Sequence, residues 1–167
     1  MQDMEQLIRE HGKAVYGLCR KLTATQFDAD DLYQQTFLIA MGKHFSEDGN
    51  PRALLTKICI AQWKNEQRKL FRRQRIAPQT DVEAEQLAAE DSPAAEAEKN
   101  ELNLALRKIV ASLDDRCRLP VLLYYGMELS VGEIAGVLHC PEGTVKSRLS
   151  AARKIIRNEL EVNGYDG

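Results

Sequence analysis

Apolar residues recur three to four positions apart along most of the chain, the period of a helix with one buried face. No segment alternates apolar and polar residues convincingly enough to predict a strand, and no internal repeat is present. From Asp3 to Leu22 the spacing places Leu7, Val15, Leu18, Cys19 and Leu22 on a common face. A second helix is expected to start at Asp28, a good N-cap with Asp31 in the first turn, and to run to about His44. The polar turn Ser46-Glu47-Asp48-Gly49-Asn50-Pro51 ends it and opens a third helix from Arg52 to Arg75. Helical periodicity resumes at Glu101 and continues, with breaks, to about Leu160.

Residues 77–100 break this pattern. They hold seven alanines, seven acids, Pro78 and Pro93, and only Val82 and Leu87 as large apolar residues. Such a stretch cannot bury much surface, so it reads as a flexible acidic linker, spanning about 25–30 Å as a coil. The expected fold is therefore all-α, with two small helical domains, 1–76 and 101–167, joined by that linker. A length of 167 residues with 44% hydrophobic and 29% charged residues suits this reading. The overall charge of −2 argues against a simple polycation, but it hides a division. Residues 1–76 carry net +4, 77–100 net −6, and 101–167 are balanced.

The strongest chemical signal lies in LSVGEIAGVLHCPEGTVKSRLSAARKII. Ser130 and Glu133 form a capping box ahead of a short helix, and His139-Cys140-Pro141 interrupts it. In the helix that follows, Val145, Leu149, Ala152, Ile156 and Leu160 fall within about 80° of arc. Lys146, Ser147, Ser150, Lys154 and Arg157 lie opposite. Residues 143–157 contain five Lys/Arg and no acid, whereas a merely solvated face mixes its signs. A short helix, tight turn and second helix with an apolar back and a basic front is a helix-turn-helix arrangement.

A second basic stripe runs along the third helix, where Lys57, Lys64, Arg68 and Arg75 project within about 40° and Arg72 lies one step round. Leu54, Leu55, Ile58, Cys59, Trp63 and Leu70 cover a different arc, and Trp63 reads as core. Such a stripe can neutralise several phosphates. Ile60 and Phe71 are expected to be exposed at its border, where either can meet an unstacked base. Between the two basic features, DLYQQTFLIAMGKHF from Asp31 to Phe45 is apolar at nearly every helical angle. A helix apolar all round must be covered on more than one side, by the rest of its bundle, by a large partner, or by both.

Together these features resemble extracytoplasmic-function (ECF) sigma factors. DADDLYQQTF is similar to DAEDLVQETF of that family, and GTVKSRLSAAR to its recognition helix GTVKSRLxRAR, in the same order and at the same separation. The resemblance covers residues 3–160. It implies a first domain that binds RNA polymerase core and the −10 promoter element, and a second that reads the −35 element. It assigns core-polymerase binding to Asp31, Leu32, Gln35, Thr36 and Phe37, to which the helical angles add Leu38 as an exposed contact. The Phe45–Arg52 loop, with Asn50 and Arg52, matches the element that captures an extruded −10 base, and Lys57, Lys64, Arg68 and Arg72 extend that site. Thr144, Lys146, Ser147, Arg148, Ser150, Arg153 and Lys154 fall to the −35 element. The family also implies an anti-sigma partner. Three departures stand out: Ala61 where many members carry Asn, Pro120 inside a stretch that is usually continuous helix, and Ala151 in place of a frequent Arg.

Other classes fit less well. A LuxR-type regulator shares an LSxxEIA…TVK pattern but usually adds a sheet-containing sensor domain, for which residues 1–76 offer no strands. A protein-only adaptor leaves the basic stripes without a purpose. No Gly-rich phosphate loop or catalytic arrangement points to an enzyme, and His11, His44 and His139 lie in separate segments. No cofactor or metal is expected. Cys19, Cys59, Cys117 and Cys140 are spaced neither for zinc nor for a disulfide scaffold. With no apolar run long enough for a membrane span and no secretory signal at the start, a cytoplasmic location is expected.

Overall fold

A computed structural model describes residues 3–46, 48–76 and 97–165. The chain forms two compact units, Met1–Leu87 and Ala88–Gly167, and the described residues of both are helical without strands. Of the expected acidic linker at 77–100, residues 77–96 lie outside the described residues. Its last four positions belong instead to a helix, which begins at Ala97 rather than at Glu101.

The first unit packs three helices, α1 (Met4–Leu22), α2 (Gln26–Met41) and α3 (Pro51–Ile76). Asp3 caps α1, its carboxylate accepting from the Glu5 amide. Asp28 does not cap α2. Thr25 does, accepting from the Asp28 amide at 3.0 Å, which leaves Asp28 in the first turn where its charge suits the helix dipole. The helix also stops at Met41, short of His44. Asn50 starts α3 by accepting from the Arg52 amide at 3.1 Å, with Pro51 at the first helical position, where its missing N–H costs nothing.

Leu7, Val15, Leu18, Leu22, Leu32, Phe37, Leu55, Ile58 and Trp63 fill the interface of these three helices. Gly12 lets α1 approach α2 closely, since a Cβ there would meet the Tyr33 hydroxyl at 3.0 Å. Cys19 and Cys59, expected as small core residues, are buried and face each other with 3.7 Å between sulfurs. The shared hydrogen bond, and burial after it, push the Cys19 thiol well up, while the same bond lowers Cys59; with both side chains fully buried, the pair serves as packing in the bundle.

The second unit is built on α7 (Glu142–Val162), against which α4 (Ala97–Ser112), α5 (Asp115–Val121) and α6 (Val131–Leu138) pack. Its core comprises Ile109, Leu113, Leu119, Leu123, Met127, Leu129, Ile134, Val137, Val145, Leu149 and Ala152. Pro120 sits inside α5. Having no N–H, it cannot continue the ladder, and a wider π-helical turn follows at Leu122–Gly126, closed by Met127 N–H donating to the Leu122 carbonyl at 3.2 Å. The capping box at α6 is complete: the Ser130 hydroxyl accepts from the Glu133 amide at 3.1 Å, and the Glu133 carboxylate accepts from the Ser130 amide at 2.9 Å. His139 ends α6 in the left-handed conformation at φ 55°, and the Cys140 amide closes the turn onto the Ala135 carbonyl at 3.1 Å.

Candidate nucleic-acid and partner interfaces

The outer face of α2 is a surface of mixed character. Leu38 is 62% exposed, Asp31 is exposed and Gln35 half-buried. Leu32, Thr36 and Phe37 point the other way. Phe37 is only 6% exposed, its ring packed 4.9 Å from that of Tyr33, and the Thr36 hydroxyl is satisfied by the Leu32 carbonyl at 2.7 Å. The expectation that these three present side chains to a partner is therefore corrected: they form the bundle's interior and set the angle at which Asp31, Gln35 and Leu38 emerge. Two residues not singled out from the sequence, Phe27 and Met41, are strongly exposed on the same side. Phe27, Asp31, Gln34, Leu38 and Met41 fall within about 80° of helical arc, a spacing the sequence already contained.

Along α3, Lys57, Arg68 and Arg72 are exposed and Lys64 is half-buried, so the basic stripe faces outward as expected. Ile60 does not border it. At 1% exposure it is core, because the N-terminal half of α3 packs on both α1 and α2 and buries a wider arc than one helix neighbour would. Trp63 is buried as expected, whereas Leu70, assigned to the apolar arc, is 49% exposed. Every described side chain from Asn65 to Arg75 is exposed. Phe71 is among them, with the Arg75 guanidinium 5.6 Å from its ring centre.

At the start of α3 the two loop residues are engaged by the protein itself. The Asn50 side chain caps the helix, and Arg52 Nε donates to His11 Nδ1 at 3.3 Å. Burial, and after it the Arg52 charge, lower the His11 pKa, while Glu10 opposes them. Neutral His11 is the form that can accept from Arg52.

In the second unit, α6, the turn His139–Pro141 and α7 make the helix-turn-helix. Val145, Leu149 and Ala152 are buried and Ile156 and Leu160 half-buried, which confirms the apolar back. Lys146, Ser147, Ser150, Lys154 and Arg157 are exposed on the front, and Thr144 and Arg148 are half-buried at its edges. Arg153 is exposed but held: its Nε donates to the Tyr125 hydroxyl at 2.8 Å. The sequence reading missed Tyr124 and Tyr125, since nothing in a separation of 28 residues signals that contact.

Two family models match the chain: Sigma-70 region 2 over residues 7–75 and Sigma-70, region 4 over residues 103–156. Together they span well over half of it. The chain is 29% identical over 162 residues to the ECF RNA polymerase sigma factor SigE of Mycolicibacterium smegmatis, covering 96% of this chain and 62% of that protein. It therefore spans less than two thirds of that relative's length. It is 25% identical over 158 residues to SigW of Bacillus subtilis, covering 87% of this chain and 82% of SigW. With the RNA polymerase sigma-H factor of Pseudomonas aeruginosa it shares 28% identity over 166 residues, 93% of this chain and 84% of that one. The solved structure of the sigma factor RpoE in complex with the anti-sigma factor NepR, from Bartonella quintana, has the same fold. Its TM-score is 0.81 at 23% identity, covering 97% of this chain and 99% of that one. CnrH, solved with the cytosolic domain of CnrY, gives a TM-score of 0.65 at 24% identity, covering 96% and 89%. The chain belongs to the sigma-70 family, in its extracytoplasmic-function group.

Proposed function

We propose that this protein is a bacterial transcription initiation factor that binds RNA polymerase core and directs it to promoters by reading the −10 and −35 elements. The single observation that carries this reading is that one chain combines two outward basic helix faces, on α3 and α7, with the exposed apolar and acidic face of α2. The basic faces suit two separate stretches of promoter DNA, and the α2 face suits a large protein partner. Asp31, Gln35 and Leu38 are the core-binding contacts, held in place by buried Leu32, Thr36 and Phe37. The −10 element falls to the Asn50–Arg52 loop together with Lys57, Lys64, Arg68 and Arg72, and the −35 element to Thr144, Lys146, Ser147, Arg148, Ser150, Arg153 and Lys154.

On this reading the chain is a regulatory subunit without chemistry of its own, and it acts in the cytoplasm where polymerase is. Among the described residues no helix is long and apolar enough to cross a membrane. An anti-sigma factor that covers the α2 or α7 surface is the expected regulator, as RpoE of Bartonella quintana has in NepR. A free-standing LuxR-type regulator is disfavoured by the region 2 match over residues 7–75, which such a protein has no reason to carry. The test is reconstitution with polymerase core. Co-purification with core and transcription from promoters that core alone ignores is the expected result. Tight sequence-specific DNA binding by the isolated chain at physiological salt, without association with core, would overturn it.

A further inference from the structure

The guanidinium of Arg153 is engaged by two aromatic rings and a phenol rather than by a carboxylate. Its Nε donates to the Tyr125 hydroxyl at 2.8 Å, and its central carbon lies 5.7 and 5.8 Å from the ring centres of Tyr124 and Tyr125. The two rings meet edge to face, 4.9 Å apart at 77°, which makes a fixed platform. They stand in the π-helical turn that follows Pro120, so the break in α5 is what brings consecutive tyrosines to the outside of the unit. Tyr125 remains 57% exposed.

This geometry uses one of five guanidinium N–H donors and, among the described residues, sets no carboxylate against the charge. Among the described residues Arg153 makes no ion pair, and its two terminal nitrogens have no hydrogen-bond partner. Those nitrogens form the part of the fork that grips a phosphate or carboxylate in bidentate fashion. The aromatic platform restricts the side chain in advance, so less freedom is lost when an anion arrives. On the helix wheel Arg153 lies about 20° from Lys146 and about 40° from Arg157, on the flank between the buried stripe and the basic front.

We propose that Tyr125, backed by Tyr124, is a positioning residue that holds Arg153 as a phosphate anchor at the edge of the −35 site. This rests on the assignment of α7 to −35 DNA. The anchor fixes how far the recognition helix rotates in the groove and reads no base itself.

The test uses holoenzyme formed from the full chain and polymerase core, bound to a promoter duplex and to its counterpart with a scrambled −35 element, across a salt series. Arg153→Ala weakens binding to both duplexes alike and reduces the salt slope by about one. Tyr125→Phe keeps the ring and loses the hydroxyl, and weakens both by about two- to tenfold. In an Arg153→Ala background the same Tyr125→Phe change has no further effect, because its action runs through the guanidinium. Thermal melting of each variant reads any merely structural role separately. The proposal is overturned if Tyr125→Phe lowers stability but leaves DNA binding unchanged, or if it weakens binding equally in both backgrounds. Reduced affinity for core without DNA would also overturn it, by assigning the patch to protein docking. Failure of the underlying reading is distinguishable: wild-type holoenzyme would then show no difference between the two duplexes before any variant is made.

Discussion

The indole Nε1 of Trp63 donates a 2.9 Å hydrogen bond to the carbonyl of Leu22, the last residue of α1. A helix's final carbonyls have no partner within the helix, so this bond satisfies an orphan acceptor while the ring fills the bundle. It ties α3 to the end of α1 at the place where α3 ceases to be buried. Trp63→Phe keeps most of the apolar volume but strands the Leu22 carbonyl, and is expected to cost about 1–3 kcal/mol. Trp63→Ala also opens a cavity and should cost ~3–5 kcal/mol. Urea unfolding followed by circular dichroism checks both, since the chain's only tryptophan fluorophore is lost in each.

Neighbouring residues on α2 should respond in opposite ways. Leu38→Asp replaces an exposed side chain and is expected to change stability by no more than about 0.5–1 kcal/mol while abolishing association with polymerase core. Phe37→Asp buries an unpaired charge and should unfold the first unit outright. Co-purification with core, read beside thermal melts, separates the two effects. A Leu38→Asp protein that melts early would show that this position belongs to the interior.

Base reading and phosphate contact should separate along α7. Lys146 and Ser147 lie near its start, where a helix entering the major groove brings side chains to base edges. Lys154 lies two turns on, where phosphate is the expected partner. Ser147→Ala, or Lys146→Ala where that side chain reads a guanine, is expected to cost ~1–3 kcal/mol on the preferred −35 sequence and little on a scrambled one. Lys154→Ala should weaken both alike and lower the salt slope by about one. Holoenzyme binding across salt decides, and a change of sequence preference in Lys154→Ala alone would show the helix to be seated otherwise.

The His11–Arg52 contact makes the first unit sensitive to mild acid. Burial and the Arg52 charge depress the His11 pKa in the folded state below its ordinary value of 6.5. The unfolded chain therefore binds more protons in this range, and stability must fall as pH drops through 6.5 toward the folded value. Protonated His11 also loses the lone pair that accepts from Arg52 Nε. Wild type should lose more melting temperature between pH 7.5 and pH 5.5 than His11→Gln, which keeps an acceptor and does not titrate. Equal losses in the two proteins would remove His11 from the account.

Helix periods, the capping box and the apolar back of α7 depend on residues close in sequence, so they were legible from sequence alone. Val145, Leu149 and Ala152 are buried because one helix against one core has one face to hide. The same logic misplaced Ile60 and Leu70. The first half of α3 is flanked by two helices and buries Ile60, while the second half has every described side chain exposed and releases Leu70. The start of α2 was missed for a similar reason. Asp28 is as good a cap as Thr25 by residue type, and it is the folded chain that gives the place to Thr25, with its hydroxyl on the Asp28 amide.

The sequence by itself determined that this chain is two all-helical blocks, where the helix-turn-helix lies, and that two helix faces are basic and one helix is apolar nearly all round. These follow from local spacing and residue chemistry. Only the tertiary structure decided which residues of Asp31–Leu38 face a partner and which hold the bundle, since a helix apolar all round gives no direction of its own. Packing likewise brought Cys19 to Cys59, His11 to Arg52 and Arg153 to Tyr125. Those pairs are 28 to 41 residues apart, and contacts over such distances are set by how helices cross rather than by any pattern along the chain.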